Sequence, residues 1–471
     1  MTVLAIDQGT SATKAVVVGD DGSVLGLGEV QVAVHATLDG GVEVDPEALW
    51  QSVIAAGQHA LAAAGHPSLQ AIGLANQGET VVAWDRCTGR ADGPAIVWQD
   101  RRASTICDRL AAHGSRLAHL TGLELDPYFV APKIAWLRRR VDRSLTITTT
   151  DTWLLQRLCG AFVTDVATAG RTLLLDLETG AWSDEACALF GIEPADLPRV
   201  VGNAHELGEC TAFSHAVPVT GACVDQQAAL FAEACRTAGE AKCTYGTGAF
   251  MLTCTGSVPT RSRNGLVGCP AWKLGDELTW CLDGQVYTVG AAVTWLIEMG
   301  IMGEPADLDA IGGTVSNAAG VTFVPALAGL AAPYWKPHAK AAFTGMTLGT
   351  ERGHLVRAAI DGIAVQVALL AQASGRDLGA PLTKLRVDGG LTRSRTLLQV
   401  QADLLQCPVE VYPSPHATAL GVASFASLGA GLEAPSDAWQ PSAVIEPAIG
   451  GDEAAERLER WQAVADATMD R

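Results

Sequence analysis

An aspartate closes the short apolar run Gly221-Ala222-Cys223-Val224-Asp225, just ahead of a small polar stretch at residues 236–240 where two halves of the chain would meet. A carboxylate beside such a junction is a candidate general base, able to take the proton of a hydroxyl as it becomes a nucleophile. Aspartate also favours helix N-caps, so the residues alone leave both roles open for Asp225. A second candidate is Asp7-Gln8-Gly9-Thr10-Ser11-Ala12-Thr13-Lys14. Glycine allows a sharp turn from which backbone N–H groups and the Thr10 and Ser11 hydroxyls point at one spot. That suits a phosphate, with Asp7 beside a Mg²⁺ ion and Lys14 as a point charge. An ordinary hairpin turn with a solvated acid accounts for this segment equally well. Thr244, Gly246, Thr247 and Gly248 repeat the pattern without a carboxylate, and Val387-Asp388-Gly389-Gly390 offers a bare backbone on which a planar base can lie, or a simple strand-to-helix connection. Asn76-Gln77-Gly78-Glu79-Thr80, with Trp84 and then Trp98-Gln99-Asp100, mixes aromatic faces with amides and carboxylates. Such a mixture suits a polyol, or else a surface ion-pair cluster.

These residues must be held by an alternation of strands and helices. Val3–Ile6 and Ala15–Val18 flank the first glycine turn as a β-hairpin, and Lys242–Thr244 and Ala249–Leu252 flank the second, which predicts two halves of related architecture. Strands at Ala71–Ala75 and Leu385–Val387 alternate with helices at Pro46–Ala64, His354–Ala373 and Thr396–Leu405, so the fold class is α/β. In the longest of these, Leu355, Val356, Ala359, Ile360, Ile363, Val367 and Leu370 keep the helical period and predict one buried face. The length of 471 residues exceeds what one core usually organises, and the polar stretch at 236–240 divides it into domains at 1–235 and 236–471. A nucleotide gripped from both sides by two hairpins is the arrangement of actin-like ATPases.

A formal charge of −19 opposes binding to nucleic acid or an anionic membrane, since both need a basic footprint. The 12 cysteines contain no CxxC pair and none lies near a histidine in zinc-ligand spacing, so they read as reduced thiols filling cores. No run of about 18 apolar residues appears and the chain opens directly into a strand, from which a cytoplasmic location is expected.

The ordered segments AIDQGT, AIGLANQGETVVAWDRCTG, AIVWQDRR, LDPYFVAPKIAWL, VDQQAALF, TYGTGAF, VPALAGLAAPYW and LRVDGGLTRSRTLLQVQADLL resemble the FGGY carbohydrate kinases, and within them the glycerol kinases, over nearly the whole length. The resemblance implies two ribonuclease H-like (actin-like ATPase) domains with a catalytic cleft between them, ATP and Mg²⁺ as cofactors, a small polyol or sugar as substrate, and a homodimer. It implies Asp225 as catalytic base and Asp7 as the metal-side carboxylate. Thr10, Ser11, Lys14, Thr247 and Gly248 would lie at the phosphates, and Gly389, Gly390 and Ser394 at the nucleoside, Ser394 standing where the family has asparagine. Glu79, Trp98, Tyr128, Asp225, Gln226 and Phe250 would line the substrate pocket. Gly78 departs from the pattern, because glycerol kinases read NQRET where this chain reads Asn76-Gln77-Gly78-Glu79-Thr80. Loss of a guanidinium there removes a planar donor fork and points to an acyclic polyol of four or five carbons rather than glycerol. A ketopentose kinase of the xylulose or ribulose type, and a non-kinase actin-like nucleotide-binding regulator, are the alternatives.

Overall fold

Two mixed sheets built on one plan organise the computed structural model, which describes residues 2–213, 215–434 and 439–469. In the first sheet Val24–Gln31, Ala12–Gly19 and Thr2–Gln8 form an antiparallel meander that continues through the parallel strands Ala71–Asn76 and Val217–Val224, with Ala204–Cys210 at the far edge. In the second, Glu277–Val286, Ala249–Gly256 and Ala241–Tyr245 repeat the meander, and Leu385–Asp388 and Val409–Val411 repeat the parallel pair. Val267–Leu274 and Ala443–Ile445 close its edges. Three antiparallel strands followed by two parallel ones, twice over, are the two related halves expected from the glycine hairpins and the ribonuclease H-like pair that the resemblance implies.

Leu4, Ala5 and Ile6 are all fully buried, so both faces of the first sheet are covered, as near-continuous apolar strands require. One cover is Pro46–Ala63, which starts at Asp45: its carboxylate accepts the Glu47 N–H at 2.9 Å and Pro46 fills the first turn. Another is Ala417–Gly429, which comes from the C-terminal half of the chain and packs on the first sheet and on the helix Asp225–Ala232. Gly421 permits that helix contact, since a Cβ there would sit 1.9 Å from the Ala228 carbonyl oxygen.

The expected helix His354–Ala373 runs over Arg352–Leu378 and is buried on almost every side rather than along one face. It lies between the second sheet and the helices Arg395–Leu405 and Gly451–Met469, so Ala358, Ala364, Val365 and Leu369 are buried along with the predicted stripe, in which Leu355 alone is half-buried. This helix is long and apolar enough to cross a membrane, and 78% of its most apolar stretch is buried inside the protein. The first hairpin also differs in detail. Asp7 is not in the turn but in the strand Thr2–Gln8, paired in register with Lys14, and the turn is confined to residues 9–11.

Candidate active site

Parallel strands end where the first hairpin turns. Gln8 and Val224 both pair with Asn76, so the residues that follow, Gly9, Gln77 and Asp225, emerge at the same carboxyl edge of the sheet, the edge at which α/β sheets bind ligands. The helix Asp225–Ala232 has Val224 as its cap, and Asp225 is its first residue, with Oδ1 accepting the Gln226 N–H at 2.7 Å. The N-cap alternative for Asp225 is thereby set aside. Burial raises its carboxyl to about 7, the like charges of Asp7 and Glu79 add to the rise, and Lys242 opposes it.

Asp225 faces a cavity of about 160 Å³ whose wall includes Thr10, Ser11, Gly78, Glu79, Trp98, Tyr128, Gln226, Thr247 and Phe250. Residues singled out from sequence along both halves of the chain, Asp225 among them, thus meet in one space. Its aromatic corner is Trp98, with the rings of Tyr128 and Phe250 each 5.9 Å away edge-to-face. Trp98 Nε1–H donates to Thr10 Oγ1 at 2.9 Å, which ties this corner to the first hairpin turn. Lys242, fully buried, donates to Gln226 Oε1 at 2.5 Å and to Thr244 Oγ1 at 2.7 Å and so fixes the amide that follows Asp225. Glu79 holds φ at +55°, a left-handed conformation uncommon for a residue other than glycine, and burial raises its carboxyl against the pull of Arg171. At Gly78 an added Cβ would lie 3.1 Å from Val224 Cγ2, so the space left by a missing side chain is bounded by the Val224 methyls.

The remaining predicted residues lie outside this cavity. Asp7 is raised to about 6, chiefly by burial, with Lys14 lowering it and Asp388 raising it. Gly248 abuts the Val286 carbonyl, 2.5 Å from where a Cβ would be. Gly389 has φ +96° and rests on the Tyr245 backbone, a Cβ there falling 2.4 Å from its carbonyl oxygen. Position 390 by contrast faces open space. Ser394 caps the helix Arg395–Leu405 by accepting the Leu397 N–H at 3.2 Å, and its hydroxyl donates to Asp309 Oδ1 at 2.9 Å.

Residues 2–232 match the FGGY family of carbohydrate kinases, N-terminal domain, and residues 241–430 match the C-terminal domain of the same family. The chain belongs to the FGGY family of carbohydrate kinases. A glycerol kinase of Bordetella parapertussis is 41% identical, with 98% of this chain and 96% of that protein covered. The crystal structure of Plasmodium falciparum glycerol kinase with ADP superposes with a TM-score of 0.90 at 30% identity, covering 99% of this chain and 98% of that one. A ligand-bound xylulose kinase from Lactobacillus acidophilus, at 20% identity and a TM-score of 0.88, shares the fold. Membership makes the protein a carbohydrate kinase, and the reading as a non-kinase regulator falls.

Three further residues shape this FGGY pocket. Arg171 and Asp283 line it, and Lys242 braces it from behind. Asp283 is the lone charge in Thr279-Trp280-Cys281-Leu282-Asp283-Gly284-Gln285-Val286, and Arg171 interrupts the apolar stretch around Leu173-Leu174-Leu175. A single charge inside an otherwise buried run has to be paired or put to use, and that was the available signal. The partners, 112 positions apart, emerge only in the fold.

Proposed function

We propose that this chain transfers the γ-phosphoryl group of ATP to a terminal hydroxyl of a small acyclic polyol, with Asp225 as the base. The observation that carries the reading is the convergence of Asp225, the Trp98 corner and both hairpin turns on one small cavity. Its buried polar atoms favour a hydroxyl-rich guest: Gln77 lines the cavity with neither amide atom hydrogen-bonded, and Asp283 Oδ1 is also without a partner. Buried groups of this kind call for donors and acceptors in alternation, which a polyol supplies.

In the step itself the Asp225 carboxylate accepts the hydroxyl proton as that oxygen bonds to the γ-phosphorus and the bond to the departing ADP oxygen breaks. A carboxyl near 7 is about half ionised at neutral pH, which matches a base to its working range. Thr10, Ser11 and Lys14 on one side, and Thr247 and Gly248 on the other, are assigned to the phosphates. Gly389, Gly390 and Ser394 are assigned to the nucleoside, and the division between domains is placed at residues 236–240.

Mg²⁺ is the metal that accompanies the nucleotide in this reading. Among the described residues no three His, Cys, Asp or Glu converge to hold an ion unaided. Magnesium, which keeps waters and is held by one or two carboxylates plus phosphates, fits that arrangement, with Asp7 as the carboxylate. When bound, it offsets the charge of the phosphates. Asp7, raised to about 6 by burial with Asp388 adding repulsion, is a site where a cation relieves like charge.

Gly78 extends the proposal to substrate size. Gly78 and Val224 line the pocket, and a polyol of four or five carbons has hydroxyls to offer where the donor fork is missing. A coupled ADP-release assay on glycerol, the tetritols, the pentitols, xylulose and ribulose tests this. The expected winner in kcat/KM is a tetritol or pentitol; glycerol winning sinks the size argument, and a ketopentose winning sinks the polyol reading.

A further inference from the structure

We propose that Arg171 is a positioning residue for the substrate: it holds Glu79 as an acceptor of substrate hydroxyls by bridging it to Asp283 of the second sheet. The inference rests on the polyol reading of the pocket. Arg171 Nε–H donates to Glu79 Oε1 at 2.6 Å, and Nη1 lies 2.7 Å from Asp283 Oδ2. Arg171 and Glu79 belong to the N-terminal half, and Asp283 to the strand Glu277–Val286, so the guanidinium joins the two halves at the cavity wall. All three side chains are at most 5% exposed. Below the fork, Nη1 also points at Cys269 Sγ at 3.6 Å, and the guanidinium lies 5.8 Å from the Tyr128 ring centre and 5.3 Å from that of Phe129.

Two observations separate this bridge from a structural ion pair. First, Glu79 sits at a left-handed φ in the turn after Gly78, a backbone that persists only where its surroundings hold it, and the bond to Arg171 is such a hold. Second, the bridge leaves acceptor capacity facing the cavity: Asp283 Oδ1 is buried without a partner, and Glu79 has given only Oε1 to Arg171. The other cation near Glu79, Lys133, directs its ammonium at the Tyr128 and Phe129 carbonyls. Arg171 therefore bonds two buried carboxylates at close range and opposes the rise that burial imposes on Glu79, which favours its ionised, accepting form. Its removal leaves Glu79 facing Asp283, Asp225, Tyr128, Tyr287 and Lys133, with burial favouring the protonated carboxyl, which presents a donor in place of an acceptor.

The test compares wild type with Arg171→Met and Arg171→Lys, using whichever alcohol the wild type phosphorylates best. Failure of the polyol reading then shows in the wild-type panel, and failure of the Arg171 role shows in the ratio of variant to wild type. For Arg171→Met the KM for the alcohol rises about 10- to 100-fold while the KM for MgATP stays within about twofold. Lysine recovers part of the loss, because it restores the charge without the fork. Below neutral pH the slope of log kcat/KM against pH steepens from one proton towards two, as Glu79 must now shed its own proton. An unchanged alcohol KM, or equal increases in both KM values with an unaltered pH slope, overturns the proposal. If Arg171→Met does not fold, Arg171→Lys, which keeps the charge without the fork, decides: a selective rise in alcohol KM supports the bridge and an unchanged one removes it.

Discussion

Replacing Asp225 by asparagine should abolish most turnover and at the same time make the folded protein more stable. The carboxyl lies at about 7 in the fold against an ordinary 3.8, and burial is the first cause. A group whose folded value is raised contributes stability that is fully present below 3.8 and is lost as pH rises to about 7. Above 7 the accumulated penalty levels off on the order of 4 kcal/mol, reduced by whatever water enters the pocket beside the carboxylate. Asparagine has nearly the same shape, can still accept the Gln226 N–H, and carries no charge to repel Asp7 and Glu79.

Thermal unfolding of both proteins at pH 5 and pH 8, without nucleotide, measures the effect. The variant should melt higher at pH 8 by roughly 2–4 °C for each kcal/mol gained in a domain of this size, and the gap should narrow at pH 5, where the wild-type carboxyl is already protonated. In the ADP-release assay the same variant should lose about 10²- to 10⁴-fold in kcat, the range for a positioned base. A folded Asp225→Asn protein with no pH-dependent gain refutes the burial account of this carboxyl, and one with near-normal kcat removes Asp225 from the base role.

Other outcomes follow from the same geometry. In the wild type, kcat/KM for the alcohol should fall about tenfold per pH unit below about 7, since the ionised Asp225 is the active form; a profile flat down to pH 5 contradicts this. Gly389→Ala puts a Cβ 2.4 Å from the Tyr245 carbonyl oxygen at a φ of +96°, so strain of about 1–3 kcal/mol should raise the KM for MgATP about tenfold and leave that for the alcohol nearly unchanged. Gly78→Arg must displace the Val224 methyl that sits 3.1 Å from the new Cβ, yet it restores a donor fork, and the substrate panel should shift towards glycerol by about tenfold in relative kcat/KM.

Much of the pocket was legible because its parts are local. Each glycine turn between apolar strands reads as a hairpin on its own, Asp225 stands out as an acid closing an apolar run ahead of the domain junction, and the family resemblance supplied the remaining lining residues. What escaped was set by distant pairing. Arg171 and Asp283 each look like an isolated charge in an apolar run, and only the packing of residues near 171 on the second sheet brings them to 2.7 Å. The helix Arg352–Leu378 showed the same limit: its apolar period marked one face, while its other sides are covered by elements from distant parts of the chain, among them the strands Ala249–Gly256, Glu277–Val286 and Thr322–Val324 and the helices Arg395–Leu405 and Gly451–Met469. Ser394 was placed at the nucleoside from family position, and its hydroxyl is engaged with Asp309, a partner that no local pattern announces.

The charges around this cleft form a single balance. Asp7, Glu79, Asp225, Asp283 and Asp388 are all raised by burial, and Glu233 beneath them is fully buried with neither carboxyl oxygen hydrogen-bonded. Lys14, Lys242 and Arg171 oppose them, with Lys242 and Arg171 directed into fixed bonds. A fold optimised for stability would protonate or replace several of these acids, because a buried carboxylate short of a cation is destabilising. Asp225, the proposed base, and Asp7, the proposed metal-side carboxylate, are among these acids, and neutral side chains there would serve the fold and defeat the proposed reaction. In the proposed reading, substrate hydroxyls on Gln77 and Asp283, and a cation beside Asp7, would satisfy groups that the polypeptide leaves unmatched. Binding of both substrates should therefore stabilise the protein by more than contact area alone suggests, with the excess reduced in Asp225→Asn, where one of the repelling charges has already been removed.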